Sequence, residues 1–219
     1  MNKRKILILT AALCILATLA IGGTLAYFTD TKTSTNTFTM GNVQIKLDET
    51  NVNDPEGPRV TGNEYAVAPG SVVKKDPVVH NVGANAAYIR ATVNVENWMN
   101  LCAAFFPDYE LHYPNEGYEQ SLKLLVGELG EGWSIIGVEA GTPFTVGNFS
   151  ARFILKYDGT LASGADTTPM FEKVMVPKQI KNENSSSFGD ITVKAQAIQT
   201  DNFDSWEAAF AAFDGQPNP

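Results

Sequence analysis

The chain has 219 residues, 44% of them hydrophobic and 18% charged, which suits a folded domain and not a disordered polymer. Sixteen Lys and Arg against 24 Asp and Glu give a net charge of −8, an acidic balance that argues against a nucleic-acid partner. Two cysteines exclude a disulfide-dense scaffold, and two histidines argue against a His-rich metal centre.

The N-terminus reads as an address. Asn2-Lys3-Arg4-Lys5 is basic, Ile6 to Ile21 carries no charge, and Gly22-Gly23-Thr24-Leu25-Ala26 supplies small residues. That is the order of a secretory signal, with cleavage expected between Ala26 and Tyr27. The alternative is a retained anchor, but 16 apolar residues are short for a span of about 20. Cys14 sits inside the apolar run after Leu13, which does not suit a lipoprotein signal. Cleavage would remove three basic residues and leave a mature charge of −11 with one cysteine, Cys102. An exported chain without a disulfide must hold its fold by its core.

From Tyr27 onward the chain reads as sheet. Six of the 13 residues from Tyr27 to Thr39 are Thr, which favours extended backbone. Val43, Ile45 and Leu47 alternate with Gln44, Lys46 and Asp48, the period of a half-buried strand. Pro55, Gly57 and Pro58 mark a loop over 51–62. The valines of 67–83 predict a strand bent or placed at an edge by Pro77. Ala87, Ile89, Ala91, Val93 and Val95 alternate with Tyr88, Arg90, Thr92 and Asn94, the clearest strand in the chain. Trp98 to Phe106 suggests a short helix. Leu122–Val126 and Trp133–Val138 read as two short strands joined through Gly127, Gly130 and Gly132. Phe149 to Tyr157 and Ile191 to Ala197 alternate again, with a short strand near Val174 and Val176. In the tail, Ser205 is placed to cap a helix with Glu207 in its first turn. Trp206, Phe210 and Phe213 then share one helical face that should dock on the sheet.

About nine strands without βαβ alternation favour an all-β fold, an antiparallel sandwich or jelly roll with short helical insertions and a short C-terminal helix. The expected organisation is a signal over 1–26, an N-terminal segment over 27–39, a sandwich over 40–200 and a helical tail over 201–219.

Several stretches resemble one family. Gly22-Gly23-Thr24-Leu25-Ala26 runs into Tyr27-Phe28-Thr29-Asp30, then Asn36-Thr37-Phe38, Gly41 and the strand from Val43 to Leu47. Ala68-Pro69-Gly70, Lys75-Asp76-Pro77, Asn81-Val82-Gly83, Ala87-Tyr88-Ile89-Arg90 and Ile191-Thr192-Val193 add to it. The chain resembles the TasA/camelysin family of Gram-positive exported proteins; Leu25 stands where an aromatic is usual, and 97–150 shows no match. The resemblance implies a jelly-roll sandwich and processing by a SipW-type signal peptidase. For the biofilm members it implies fibres in which each subunit's N-terminal segment completes the next subunit's sheet. Tyr27, Phe28, Thr29, Asp30 and Phe38 are the candidate donor-strand residues, with Phe28 and Phe38 as anchors. Tyr27 to Phe38 extends to about 40 Å, and an exposed sheet edge accepts such a strand through main-chain hydrogen bonds. A head-to-tail contact of this kind grows open filaments. A strand folding back in cis and a disordered leader remain alternatives.

Catalytic motifs are scarce. The family's other name comes from a reported metalloprotease activity, but a zincin needs His-Glu-x-x-His. His80 and His112 lie apart in sequence and read as surface or edge residues. Cys102 lies in an apolar run, which favours an inert thiol. Asp158, Asp166 and Glu172 flank a loop but do not have the spacing of a calcium site. Lys74-Lys75 beside Asp76 reads as a solvated turn. No cofactor, metal or catalytic residue is expected. The expected protein is a non-enzymatic subunit of extracellular or cell-surface fibres, whose partners are its own copies, the signal peptidase and an accessory anchoring protein. A secreted metallo-endopeptidase and a monomeric cell-surface or spore-coat protein are the alternatives.

Overall fold

The computed structural model describes residues 29–33, 43–105, 118–140, 150–179 and 189–216. Among them are nine strands: β1 Thr29–Thr33, β2 Ile45–Asp48, β3 Val72–Lys74, β4 Val78–Asn81, β5 Ala87–Val95, β6 Trp133–Ala140, β7 Ala151–Tyr157, β8 Lys173–Met175 and β9 Ile191–Gln199. Three helices accompany them: α1 Trp98–Phe105, α2 Tyr118–Val126 and α3 Trp206–Asp214. One five-stranded sheet runs β1-β9-β5-β7-β6, and two-stranded sheets pair β2 with β4 and β3 with β8. Every pairing is antiparallel, so the all-β class expected from the sequence is the class of the structure.

The core follows from the alternation. Ala87, Ile89, Ala91, Val93 and Val95 of β5 are buried, as are Phe153 and Leu155 of β7 and Val193, Ala195 and Ala197 of β9. These side chains form one face of the five-stranded sheet. Val43, Ile45, Leu47 and Val79 pack against them from the β2–β4 pair, together with Met170, Phe171 and Val174. Trp98 closes this core from α1, meeting Phe153 edge to face at 5.0 Å.

The opposite face of the sheet carries α3. Ser205 has extended backbone and accepts the Ala208 N–H at 3.1 Å, the expected N-cap. Trp206, Ala209 and Phe210 are buried against Ile198, with Tyr88, Phe203 and Phe213 packed around them. Arg90 holds the far end, donating to both carboxylate oxygens of Asp214 at 2.7 and 2.8 Å with its guanidinium 4.4 Å from the Phe210 ring.

Two expectations are corrected. Leu122–Val126 is not a strand but the end of α2. Leu122, Leu125 and Val126 are buried while Leu124 is exposed, which is helical spacing. A five-residue apolar run is too short for its period to separate helix from strand. The valines of 67–83 form not one bent strand but two, β3 and β4, in different sheets. Pro77 lies between them, and its missing N–H makes it a natural break.

β6 ends the five-stranded sheet on the side away from β1. Its register with β7 shifts between Ile135 and Gly137, leaving Ile136 as an extra, exposed residue. A bulge of this kind twists an edge away from flat pairing with other chains.

Candidate functional site

The first strand of the described chain lies on the outer edge of the last. β1 pairs with β9 from Thr29 opposite Ile198 to Thr33 opposite Lys194. Of the expected donor-strand residues, Thr29 and Asp30 therefore lie in β1. Ala26, Tyr27, Phe28 and Phe38 fall outside the described residues, as does His112. β9 itself continues back to Ile191, and β5 covers its other edge along its full length. Among the described residues nothing pairs with the outer edge of Ile191–Val193.

Ile191–Val193 line an open cavity of about 540 Å³. Leu47, Val73, Pro77 and Val174 give it an apolar floor, and Asn63, Tyr65 and Val67 form the facing wall. The Tyr65 hydroxyl is shielded from solvent beside Glu49 and Asn63, yet it makes no hydrogen bond of normal geometry. Burial, and then the negative charge of Glu49, hold this phenol well above its ordinary pKa.

A network of buried charge braces the wall. Asp48 ends β2 with its side chain 1% exposed. Arg59, in the loop after β2, donates its Nε–H to Asp48 Oδ1 at 2.6 Å and an Nη2–H to the Asp76 carbonyl at 2.7 Å. Asp76 accepts the N–H and hydroxyl of Thr50 at 2.7 and 2.6 Å. Lys75 meets Glu49 at 2.7 Å, and Asn63 donates to the same carboxylate at 2.9 Å. The loop is thereby folded back onto β2, and Tyr65 is set beside β9. Burial raises the pKa of both Asp48 and Asp76. Donors from Lys46, Arg59 and His80 to the first, and from Thr50 and Arg59 to the second, outweigh it and hold both carboxyls below the usual range.

No part of this network is legible in the sequence. Lys75 and Asp76 are not part of a solvated turn; their side chains are each 11% exposed. His80 is not a free surface residue. Its Nδ1 lies 2.6 Å from Asp166 Oδ1 and its Nε2 lies 2.9 Å from Asp48 Oδ1. Asp48, Arg59 and Asp76 are separated by 11 and 17 residues, and no local spacing announces that they meet.

Comparison with known families bears on the same N-terminal part of the chain. A family described as camelysin metallo-endopeptidase matches residues 2–97. Over this stretch the chain is similar to the camelysin family. The match runs from the signal-like N-terminus through β5, so the resemblance read from Gly22 to Leu47 and on to Arg90 holds. It supports an exported protein. No curated protein and no solved structure matches the chain. No helix among the described residues is long and apolar enough to cross a membrane.

The camelysin description names a metal-dependent activity, which would require free donors converging on one point. Both His80 nitrogens face carboxylates, and Asp48 already faces Lys46 and Arg59. A divalent cation there would sit among cations, without free donors. Among the described residues no group of three or more His, Cys, Asp or Glu side chains is placed to hold a metal. Asp166 faces His80, its Oδ1 2.6 Å from His80 Nδ1. The described residues do not assemble a zinc centre.

Proposed function

We infer that the protein is an exported structural subunit that polymerises into extracellular, biofilm-matrix-type fibres by donating its N-terminal strand to the sheet of the next copy. One observation carries this reading: the strand nearest the expected mature N-terminus is a five-residue edge strand added to β9. An edge strand at a terminus can leave its own sheet without dismantling anything else. Its main-chain hydrogen bonds can be remade on an identical edge elsewhere. Because the surface given and the surface received differ, each copy can do both, and the assembly stays open. The family match over residues 2–97 supports export, and the signal-like sequence before Tyr27 supports cleavage by a SipW-type signal peptidase. The setting is the surface or matrix of a Gram-positive bacterium. Surface retention falls to polymerisation or to an accessory anchoring protein.

The test is negative-stain electron microscopy of purified Tyr27–Pro219 beside Thr39–Pro219. Filaments from the longer chain alone are the expected result. Filaments from both would remove the N-terminal strand from the mechanism. Monodisperse protein from both, at high concentration and across pH, would leave a monomeric surface protein.

A further inference from the structure

The wall that braces Tyr65 brings an amine, a carboxylate and a primary amide together. Glu49, just after β2, is held by Val60: its N–H donates to the Val60 carbonyl at 2.7 Å and its carbonyl accepts the Val60 N–H at 2.8 Å. Lys75, between β3 and β4, is fixed by its own N–H, which donates to the Glu172 carbonyl at 3.1 Å. From these two anchors the side chains converge. Lys75 Nζ donates to Glu49 Oε2 at 2.7 Å, and Asn63 Nδ2 donates to Glu49 Oε1 at 2.9 Å. One carboxylate thus carries two nitrogens, one on each oxygen. Its side chain is 4% exposed and that of Lys75 is 11% exposed, so bulk water is a poor competitor there.

The amide is oriented as well. Asn63 Nδ2 also donates to the Thr50 carbonyl at 2.8 Å, and Asn63 Oδ1 accepts the Val52 N–H at 2.9 Å. Only the amide oxygen can accept from Val52, and only the amide nitrogen can donate to Thr50 and Glu49, so the network fixes which way the group faces. The Val52 N–H lies on the oxygen where negative charge gathers when an amide carbon is attacked. The Tyr65 ring covers Lys75, its centroid 5.7 Å from Nζ. A salt bridge alone would need only Lys75 and Glu49. Here a nucleophile, a proton carrier, a leaving group and an oxyanion donor stand in one place, the parts that amide transfer requires.

We propose that Lys75 and Asn63 form an intramolecular isopeptide bond, with Glu49 carrying the protons. Lys75 Nζ passes one proton to Glu49 and attacks Asn63 Cγ. The Nζ–Cγ bond forms, and charge collects on Oδ1 against the Val52 N–H. Glu49 gives its proton to Nδ2 and takes a second from Nζ. The Cγ–Nδ2 bond breaks, ammonia leaves with that second proton as ammonium, and Glu49 is again a carboxylate. Nothing is oxidised or reduced.

The product ties the segment returning from the 51–62 loop to the β3–β4 connection through a ring closed between residues 63 and 75. The expected mature chain has one cysteine, so no internal disulfide can play this part. An amide holds in reducing and oxidising surroundings alike. The bond goes beyond the fibre reading and does not depend on it, since a monomer and a fibre subunit would carry it equally.

The test is mass spectrometry of the purified mature chain, intact and after trypsin. The bond lowers the mass by one ammonia, about 17 Da. Trypsin should leave a product spanning 60–90, joined through Asn63 and Lys75 and uncut after Lys75. Lys75→Arg keeps a cation on Glu49 but offers no amine to acylate, and should show the full mass. Asn63→Asp should lose water in place of ammonia, about 18 Da. Glu49→Gln, with native circular dichroism, should slow bond formation about a hundredfold or more. A wild-type chain of full mass that trypsin cuts after Lys75 would overturn the proposal. So would a bond from Lys75 to Glu49 itself with loss of water, or bond formation unchanged in Glu49→Gln.

Discussion

Arg59 and Asp48 meet at 2.6 Å, and this contact ties a loop rich in proline and glycine to the end of a core strand. The carboxylate is almost fully buried, while the guanidinium is 30% exposed. Loss of the cation would leave Asp48 with Lys46 and His80 only. Arg59→Ala should therefore cost about 2 kcal/mol, the scale of a buried charged group left under-satisfied. Chemical denaturation is the measurement, and the loop over 51–62 should become the first site of limited proteolysis. Arg59→Lys should recover little, because a single ammonium cannot reach Asp48 and the Asp76 carbonyl together.

The same network sets an acid limit. Asp48 and Asp76 have pKa values held below the ordinary carboxylate range in the folded chain. A lowered folded value contributes stability above the unfolded pKa, near 4, and that stability is lost as pH falls through the folded value. The melting temperature should stay level from about pH 7 to about pH 5 and drop below about pH 4. Asp76→Asn should lower the plateau and flatten the acid drop. A plateau that continues unchanged to pH 2 would contradict the assignment.

Trp206 anchors α3 to the sheet with its indole N–H donated to the Ile89 carbonyl at 2.9 Å. Trp206→Ala removes a large buried side chain and its hydrogen bond, at about 3 kcal/mol. Ser205→Ala removes only the cap, at about 1 kcal/mol. Near-ultraviolet circular dichroism and thermal melts should rank the two in that order.

Gly130 leaves no room for a side chain, because a Cβ there would strike the Pro169 carbonyl. Gly130→Ala must displace backbone and should cost about 2 kcal/mol. Gly62, with open space around it, is the control, and Gly62→Ala should be near neutral.

The endopeptidase reading has its own check. Casein hydrolysis by the mature chain, purified free of host proteases, should be absent with and without added zinc. Hydrolysis that a chelator abolishes and zinc restores would favour the enzyme.

Local pattern determined much of this molecule. The alternation from Ala87 to Val95 and from Ile191 to Ala197 marked two adjacent interior strands of the large sheet, because a period of two leaves only one face to bury. The cap at Ser205 and the spacing of Trp206 and Phe210 fixed α3 and its buried face. The signal-like start and the residues from Gly22 to Arg90 carried the resemblance to the camelysin family. Short apolar runs misled where length could not separate periods, as at Leu122–Val126. Tertiary structure alone decided that β1 lies on β9 and that Asp48, Arg59, Asp76 and His80 share one network. Those relations join residues far apart in the chain, and their free energy comes from desolvation and edge pairing, which no window of sequence contains.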